Sequence, residues 1–184
     1  MLAFFPFYLE QLLSAEQKTT SRLGTGMFIL AWLVGLALIS VLFEDSLLAQ
    51  FNPNERPESR YENGKPTVVL KRNRYGHYVS SGKINGQEVV FLVDTGATNV
   101  SIPLAVAEKL GLQKGAPGRS ITANGTVTVY RTSIPSLELG NIQLTNVIGN
   151  INPGMQGPEI LLGMSVLKQL EFSQRGDTLT LRPL

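Results

Sequence analysis

Three patterns of apolar and polar positions divide the chain. The first is an unbroken apolar run, Met27 to Phe43 (MFILAWLVGLALISVLF), inside a stretch of 21 uncharged residues between Arg22 and Glu44. As a helix, 21 residues rise roughly 31 Å, enough for the hydrocarbon core of a bilayer. The second pattern, residues 44–65 (EDSLLAQFNPNERPESRYENGK), is polar, contains proline and lacks apolar periodicity. It predicts a flexible tether with a reach of about 26 Å. From Pro66 onward, short apolar or alternating runs are separated by turn residues, which predicts a mostly β domain over 66–184.

Within that domain the turn chemistry places the elements. Strands are predicted at Thr67–Leu70 and Tyr75–Ile84, followed by an Asn85-Gly86 hairpin turn into a strand over Val89–Val93. Asn99–Ile102 resumes as a strand. Pro103 then opens a short helix (PLAVAEKL) that Gly111 closes. Ser120–Arg131 alternates about Asn124-Gly125, and Leu137–Leu139 and Ile142–Ile151 pair about Gly140-Asn141. Ile160–Gly163 is a short apolar strand before a helical turn (MSVLKQL). Glu171–Ser173 and Thr178–Leu181 close the chain about Arg175-Gly176-Asp177.

One strand ends unusually. Val89-Val90-Phe91-Leu92-Val93 has the length and the β-branched and aromatic content of a strand buried on both faces. It runs into Asp94-Thr95-Gly96-Ala97-Thr98. An ionised carboxylate at the end of a buried strand is costly unless it is held by partners. Glycine lets the backbone turn sharply just beyond it. A bare Asp-Thr-Gly is most often a surface turn; the preceding apolar run makes Asp94 a candidate catalytic acid.

Composition adds boundaries. Of 184 residues, 16% are charged, against about 25% in soluble domains, and the apolar run accounts for part of that deficit. The run is longer than a signal-peptide core and begins after 26 residues, which favours a retained anchor over a cleaved signal. Lys18 and Arg22 precede it, and Glu44 and Asp45 follow. The positive-inside rule therefore places residues 1–23 in the cytoplasm or at the interface and the domain outside. The expectation is a single-pass protein of the cell (inner) membrane with residues 24–43 in the lipid bilayer and an extracytoplasmic, periplasmic domain. The chain has no cysteine and one histidine, His77. That leaves no cysteine nucleophile or cysteine–histidine metal site, and no metal or other cofactor is expected. No Gly-x-Ser-x-Gly elbow accompanies Ser165 or any other serine. The net charge of +2 brings no basic stripe for nucleic acid.

Three separated motifs in order carry a resemblance: GHYVSSGKINGQEVVFLVDTGAT (76–98), ITANGTVTV (121–129) and EILLGMSVLKQL (159–170). Together they resemble a retropepsin-like (clan AA) aspartic protease, most closely the bacterial membrane-anchored type. The resemblance implies an all-β, single-domain closed barrel or sandwich with two short helices, here preceded by one transmembrane helix. It also implies an aspartic-type endopeptidase. Such catalysis uses two carboxylates about 3 Å apart that share one proton. The chain has three aspartates, Asp45, Asp94 and Asp177, and only Asp94 lies in an Asp-Thr-Gly. The second carboxylate is then Asp94 of another copy, which calls for a two-fold homodimer.

Further roles follow from the resemblance alone. Thr95 locks the two active-site loops across the axis, and Gly96 lets backbone N–H reach the carboxylate. Ala97 stands where pepsin-like enzymes often carry a serine that hydrogen-bonds the acid, so activity is expected to extend toward neutral pH. Ala97, Thr98, Ala123, Asn124 and Gly125 contact a peptide or protein substrate, the last three at the tip of a closing flap. On the residues alone, Asn124-Gly125 reads as an ordinary hairpin turn sooner than as a flap tip. Leu161, Leu162 and Gly163 support the Asp94 loop, and on the residues alone they are plain core. His77 reads as structural. The competing function is a catalytically silent module of the same fold that dimerises or binds peptides.

Overall fold

The structure, a computed structural model, describes residues 26–43, 49–122 and 125–184. Helix α1 (Gly26–Phe43) carries the apolar run, with a mean hydropathy of 2.5, and none of it is buried. It is long and apolar enough to cross a membrane, a property that signal sequences share. The first two residues of the expected 24–43 span lie outside the described residues.

The remaining chain is mostly strand. It contains β1 (Glu58–Glu62), β2 (Lys65–Lys71), β3 (Val79–Ile84), β4 (Gln87–Val93) and β5 (Val100–Pro103). After helix α2 (Leu104–Lys109) come β6 (Pro117–Thr122), β7 (Gly125–Leu139), β8 (Ile142–Asn152) and β9 (Glu159–Leu162). Helix α3 (Met164–Leu167), β10 (Leu170–Arg175) and β11 (Thr178–Pro183) complete it. One sheet has the order β3-β4-β9-β5-β8-β7-β6, and β3 also pairs with β7 through Lys83–Glu138 and Ile84–Leu137. That extra pairing closes six strands into a barrel and leaves β6 outside it, paired with the first half of β7. A second sheet, β1-β2-β11-β10, packs beside the barrel. The expected all-β barrel with two short helices is the architecture that forms.

The core explains the closure. Phe91, Ile102, Ile134, Leu137, Ile151, Ile160 and Leu162 are fully buried from the barrel strands. Val68, Leu70, Leu179 and Leu181, on alternating positions of β2 and β11, join the same cluster. Burying each such side chain contributes roughly 1.5–3 kcal/mol. The β7–β8 turn seats the second sheet, because the Asn141 side-chain amide donates to the Arg60 carbonyl at 2.8 Å. At the end of α2 the Gly111 N–H donates to Glu108 and the Leu112 N–H to Ala107, so this glycine stops the helix as expected.

Several boundaries differ from expectation. Residues 44–65 were expected to be a tether, but β1 lies within them and pairs in full register with β2. Asn54 is also buried there, with its side chain bonded to the backbone of Lys71 and Val79. Asn54 and β1 are therefore part of the folded unit, ahead of residue 66. Asn63 and Gly64 both have positive φ and form a two-residue turn of the kind seen at Asn85-Gly86. Tyr75–Tyr78 is not strand, because Asn73 caps a turn there by accepting from the N–H groups of Tyr75 and His77. β7 runs unbroken past Pro135, where one pair of the ladder, opposite Asn146 with its positive φ, is missing and the register is otherwise unchanged. β4 is buried fully on one face only: Val89 and Phe91 are buried, and Val90, Leu92 and Val93 are half-buried.

Candidate active site

Asp94 lies at the end of β4, where topology makes a gap. β4 and β5 are consecutive in sequence but not adjacent, because β9 inserts between them, parallel to β4. The loop joining β4 to β5 must therefore pass over the end of β9. The Asp94 N–H donates to the Leu162 carbonyl at 3.2 Å, which extends the β4–β9 ladder by one step. The Ala97 N–H then returns to the Asp94 carbonyl at 3.3 Å.

The carboxylate is half-buried and held locally. The Gly96 N–H donates to Asp94 Oδ1 at 2.8 Å. A Cβ at position 96 would come 3.1 Å from that oxygen, so glycine permits the close approach. Thr95, Gly96 and Thr98 are exposed, and Ala97 is half-buried.

Helix α3 clamps the far side of the loop. The Met164 N–H donates to the Ala97 carbonyl at 2.8 Å, and the Ser165 N–H donates to the Thr98 carbonyl at 2.9 Å. These bonds satisfy N–H groups that the first turn of a helix leaves open. Gly163 makes the contact possible, since a Cβ there would lie 2.6 Å from the Ala97 carbonyl oxygen and collide with that of Asn99. Leu162 is fully buried and Leu161 half-buried beside the loop. Gly163→Ala is therefore expected to lower the unfolding free energy by about 1–3 kcal/mol in a denaturant titration. An unchanged midpoint would show that the loop yields freely.

Ser165 has a part in the site that the sequence did not single out. It is buried, its Oγ accepts from the Val100 N–H at 3.0 Å and it donates to the Ile148 carbonyl at 2.8 Å. One hydroxyl thus ties β5, β8 and α3 together beneath the Asp94 loop. Its signal was a lone hydroxyl inside the apolar run Ile160–Leu167.

A cleft of about 390 Å³ opens over Asp94. Asp94, Gly96, Ala97 and Thr98 line one side, and Ser120, Ile121 and Val129 of the β6–β7 hairpin line the other. Leu161 also lines it, whereas Leu162 and Gly163 lie behind the loop. Ile121 is 88% exposed, an apolar side chain with little protein cover. Ala123 and Asn124, expected at the hairpin tip, lie outside the described residues. Gly125 is the first residue of β7, paired with Thr122 at a φ of 110°.

Asp94 is the one carboxylate among the described residues that line this cleft. Asp177 is exposed elsewhere in an ion pair with Arg72, and Asp45 lies outside the described residues. Among the described residues no three His, Cys, Asp or Glu side chains converge as metal ligands. His77 lines a separate, neighbouring cavity with Leu92 and Leu161.

Residues 80–169 match the model of a family described as "gag-polyprotein putative aspartyl protease". Over 179 residues the chain is 32% identical to an uncharacterised protein in the cobV 5′ region of Sinorhizobium sp., covering 90% of this chain and 77% of that one. It is 29% identical over 119 residues to an uncharacterised protein of Rickettsia prowazekii (strain Madrid E), covering 62% of this chain and 50% of that one. Among solved structures, a retropepsin-like aspartic protease from Rickettsia conorii matches with a TM-score of 0.53 and 24% identity. That match covers 70% of this chain and 95% of the other, and at this identity it describes the fold.

Proposed function

Because this chain belongs to the retropepsin-like aspartic protease family, we propose that it is a membrane-anchored aspartic endopeptidase whose active site forms between two copies. The observation that carries this reading is the solitary carboxylate. Asp94 lines a cleft of substrate size and has no second acid beside it among the described lining residues. A second copy related by a two-fold axis supplies that acid as its own Asp94. One carboxylate then takes a proton from water, and the other gives a proton to the scissile carbonyl. Gly96 N–H holds each carboxylate in place, Thr95 ties the paired loops, and Ala97 and Thr98 flank the substrate. Neither a metal nor an organic cofactor takes part.

The peptide binds extended beneath the β6–β7 hairpin, whose Ala123, Asn124 and Gly125 close over it. The exposed Ile121 gains cover from substrate or from the second copy. Helix α1 crosses the membrane, and the charges flanking it direct the folded domain to the extracytoplasmic side. Residues 1–23 stay in the cytoplasm or at its interface, and no nucleic acid is engaged.

Two properties of the detergent-solubilised full chain test this reading together. It is expected to cleave a peptide library, read by mass spectrometry from acidic to neutral pH, only at protein concentrations where sedimentation shows a dimer. A strictly monomeric, active protein would contradict the shared site. A stable dimer that cleaves nothing would favour a peptide-binding module.

A further inference from the structure

A row of register-paired residues crosses the sheet beside Asp94. Val79 of β3 is opposite Leu92 of β4, Leu92 opposite Leu161 of β9, Leu161 opposite Ser101 of β5, and Ser101 opposite Asn150 of β8. Paired residues share a sheet face, so all five point the same way. Leu161, Ser101 and Asn150 line the Asp94 cleft. Val79, Leu92 and Leu161 line a second cavity of about 560 Å³. Leu161 belongs to both, so the two cavities adjoin along this row. The Ser101 hydroxyl of the first, 3.7 Å from the Met155 sulfur of the second, marks the same border.

The outer wall of the second cavity comes from an unexpected place. Phe51 lines it together with Tyr75, His77 and Met155. Phe51 lies only eight residues beyond the end of α1, in the stretch whose composition reads as a tether. Its position is fixed from both sides. The Asn73 side chain donates to the Phe51 carbonyl at 2.9 Å, and the Asn52 side chain donates to Ser81 Oγ at 3.0 Å. Asn54, three residues on, is buried and bonded to Lys71 and Val79. At 37% exposure the ring borders the cavity rather than filling the core.

We propose that Phe51 is a specificity-determining residue: the segment between α1 and the barrel supplies one wall of a substrate pocket that takes a large apolar side chain. This rests on the reading of the groove as a peptide site. Its consequence is that any processing that removes residues up to Phe51 changes which peptides the groove selects.

The test uses full-length Asp94→Asn protein, which keeps the groove without turnover, and the same protein carrying Phe51→Ala or Phe51→Leu. Each is profiled for binding to an array of extended peptides varied one position at a time, with cleavage by the wild type measured alongside. The Asp94→Asn protein is expected to favour a large apolar residue over alanine at one position by about tenfold or more. Phe51→Ala removes that preference while selection at other positions persists, and Phe51→Leu retains part of it. The same preference in all three proteins overturns the proposal and leaves the peptidase reading intact. Selection that depends on Phe51 without wild-type cleavage removes only the peptidase reading. Neither binding nor cleavage removes both.

Discussion

Asp94→Asn is expected to abolish peptide cleavage while the fold and the dimer persist. Asparagine is nearly isosteric, and its side-chain oxygen can still accept from the Gly96 N–H, which lies 2.8 Å from Oδ1 in the parent. The loop is otherwise held by backbone bonds to Leu162, Met164 and Ser165 that the substitution does not touch. At the proposed shared site, however, the chemistry would lose both of its acids at once, because each copy would contribute its own Asp94. Each general acid or base is worth about 10²–10⁴-fold, so kcat/KM should fall by about 10⁴-fold or more. Steady-state kinetics on one cleaved peptide, with a melting curve as control, measures this. Residual activity in pure variant protein would assign the acid to another group.

Asn54→Ala is expected to produce the largest loss of stability from outside the core. The Asn54 amide donates to the carbonyls of Lys71 and Val79 at 2.9 and 2.6 Å, and its oxygen accepts from the Lys71 N–H at 2.7 Å. Alanine leaves those three backbone groups without these partners, and a buried group left unpaired costs about 1–3 kcal/mol. Lys71 is exposed enough for water to replace part of its loss, so about 2–4 kcal/mol is expected overall. A denaturant titration of the full chain measures the total. Hydrogen exchange at Ser81, whose N–H donates to the Asn54 carbonyl at 3.1 Å, reports whether the segment has come loose. Stability within about 0.5 kcal/mol of the parent, with unchanged exchange, would mean that residues 49–57 are a dispensable tether. A fragment that begins beyond Asn54 would discard this anchor, and one that begins beyond Glu58 would also cut into β1.

The contrast between Asn85-Gly86 and Asn63-Gly64 shows what could be read from the sequence. Both are two-residue turns with positive φ at each position. The first stands between strands that carry buried apolar residues, and its hairpin was legible. The second follows β1, where Glu58, Ser59, Arg60 and Tyr61 are all exposed. β1 is an edge strand with one neighbour, held by ladder bonds, by the Asn141 amide on the Arg60 carbonyl and by the ion pair of Glu62 with Arg182. Without a buried face it has no apolar alternation, and only its turn announced it.

The candidate site divides in the same way. Asp94, Thr95 and Gly96 were legible because their geometry is local: a strand end, a turn and an N–H reaching back two residues. Ser165 and Phe51 were not, because topology brings the one beneath the Asp94 loop and the other to the neighbouring cavity. Ser165 acts on a strand 65 residues earlier, and it does so because β9 inserts between β4 and β5. Phe51 arrives through the Asn54 anchor, which bridges 17 residues to Lys71 and 25 to Val79. No spacing rule within a single strand or helix encodes such contacts.

The most direct test of the shared site is a mixing experiment. Wild-type and Asp94→Asn full-length proteins are combined at fixed total concentration, fully dimeric, and left to exchange subunits. If every site needs Asp94 from two copies, an equal mixture retains about a quarter of the wild-type activity, the square of the wild-type fraction. Retention of about half, falling linearly with that fraction, would mean that each chain works with its own acid and would contradict the account.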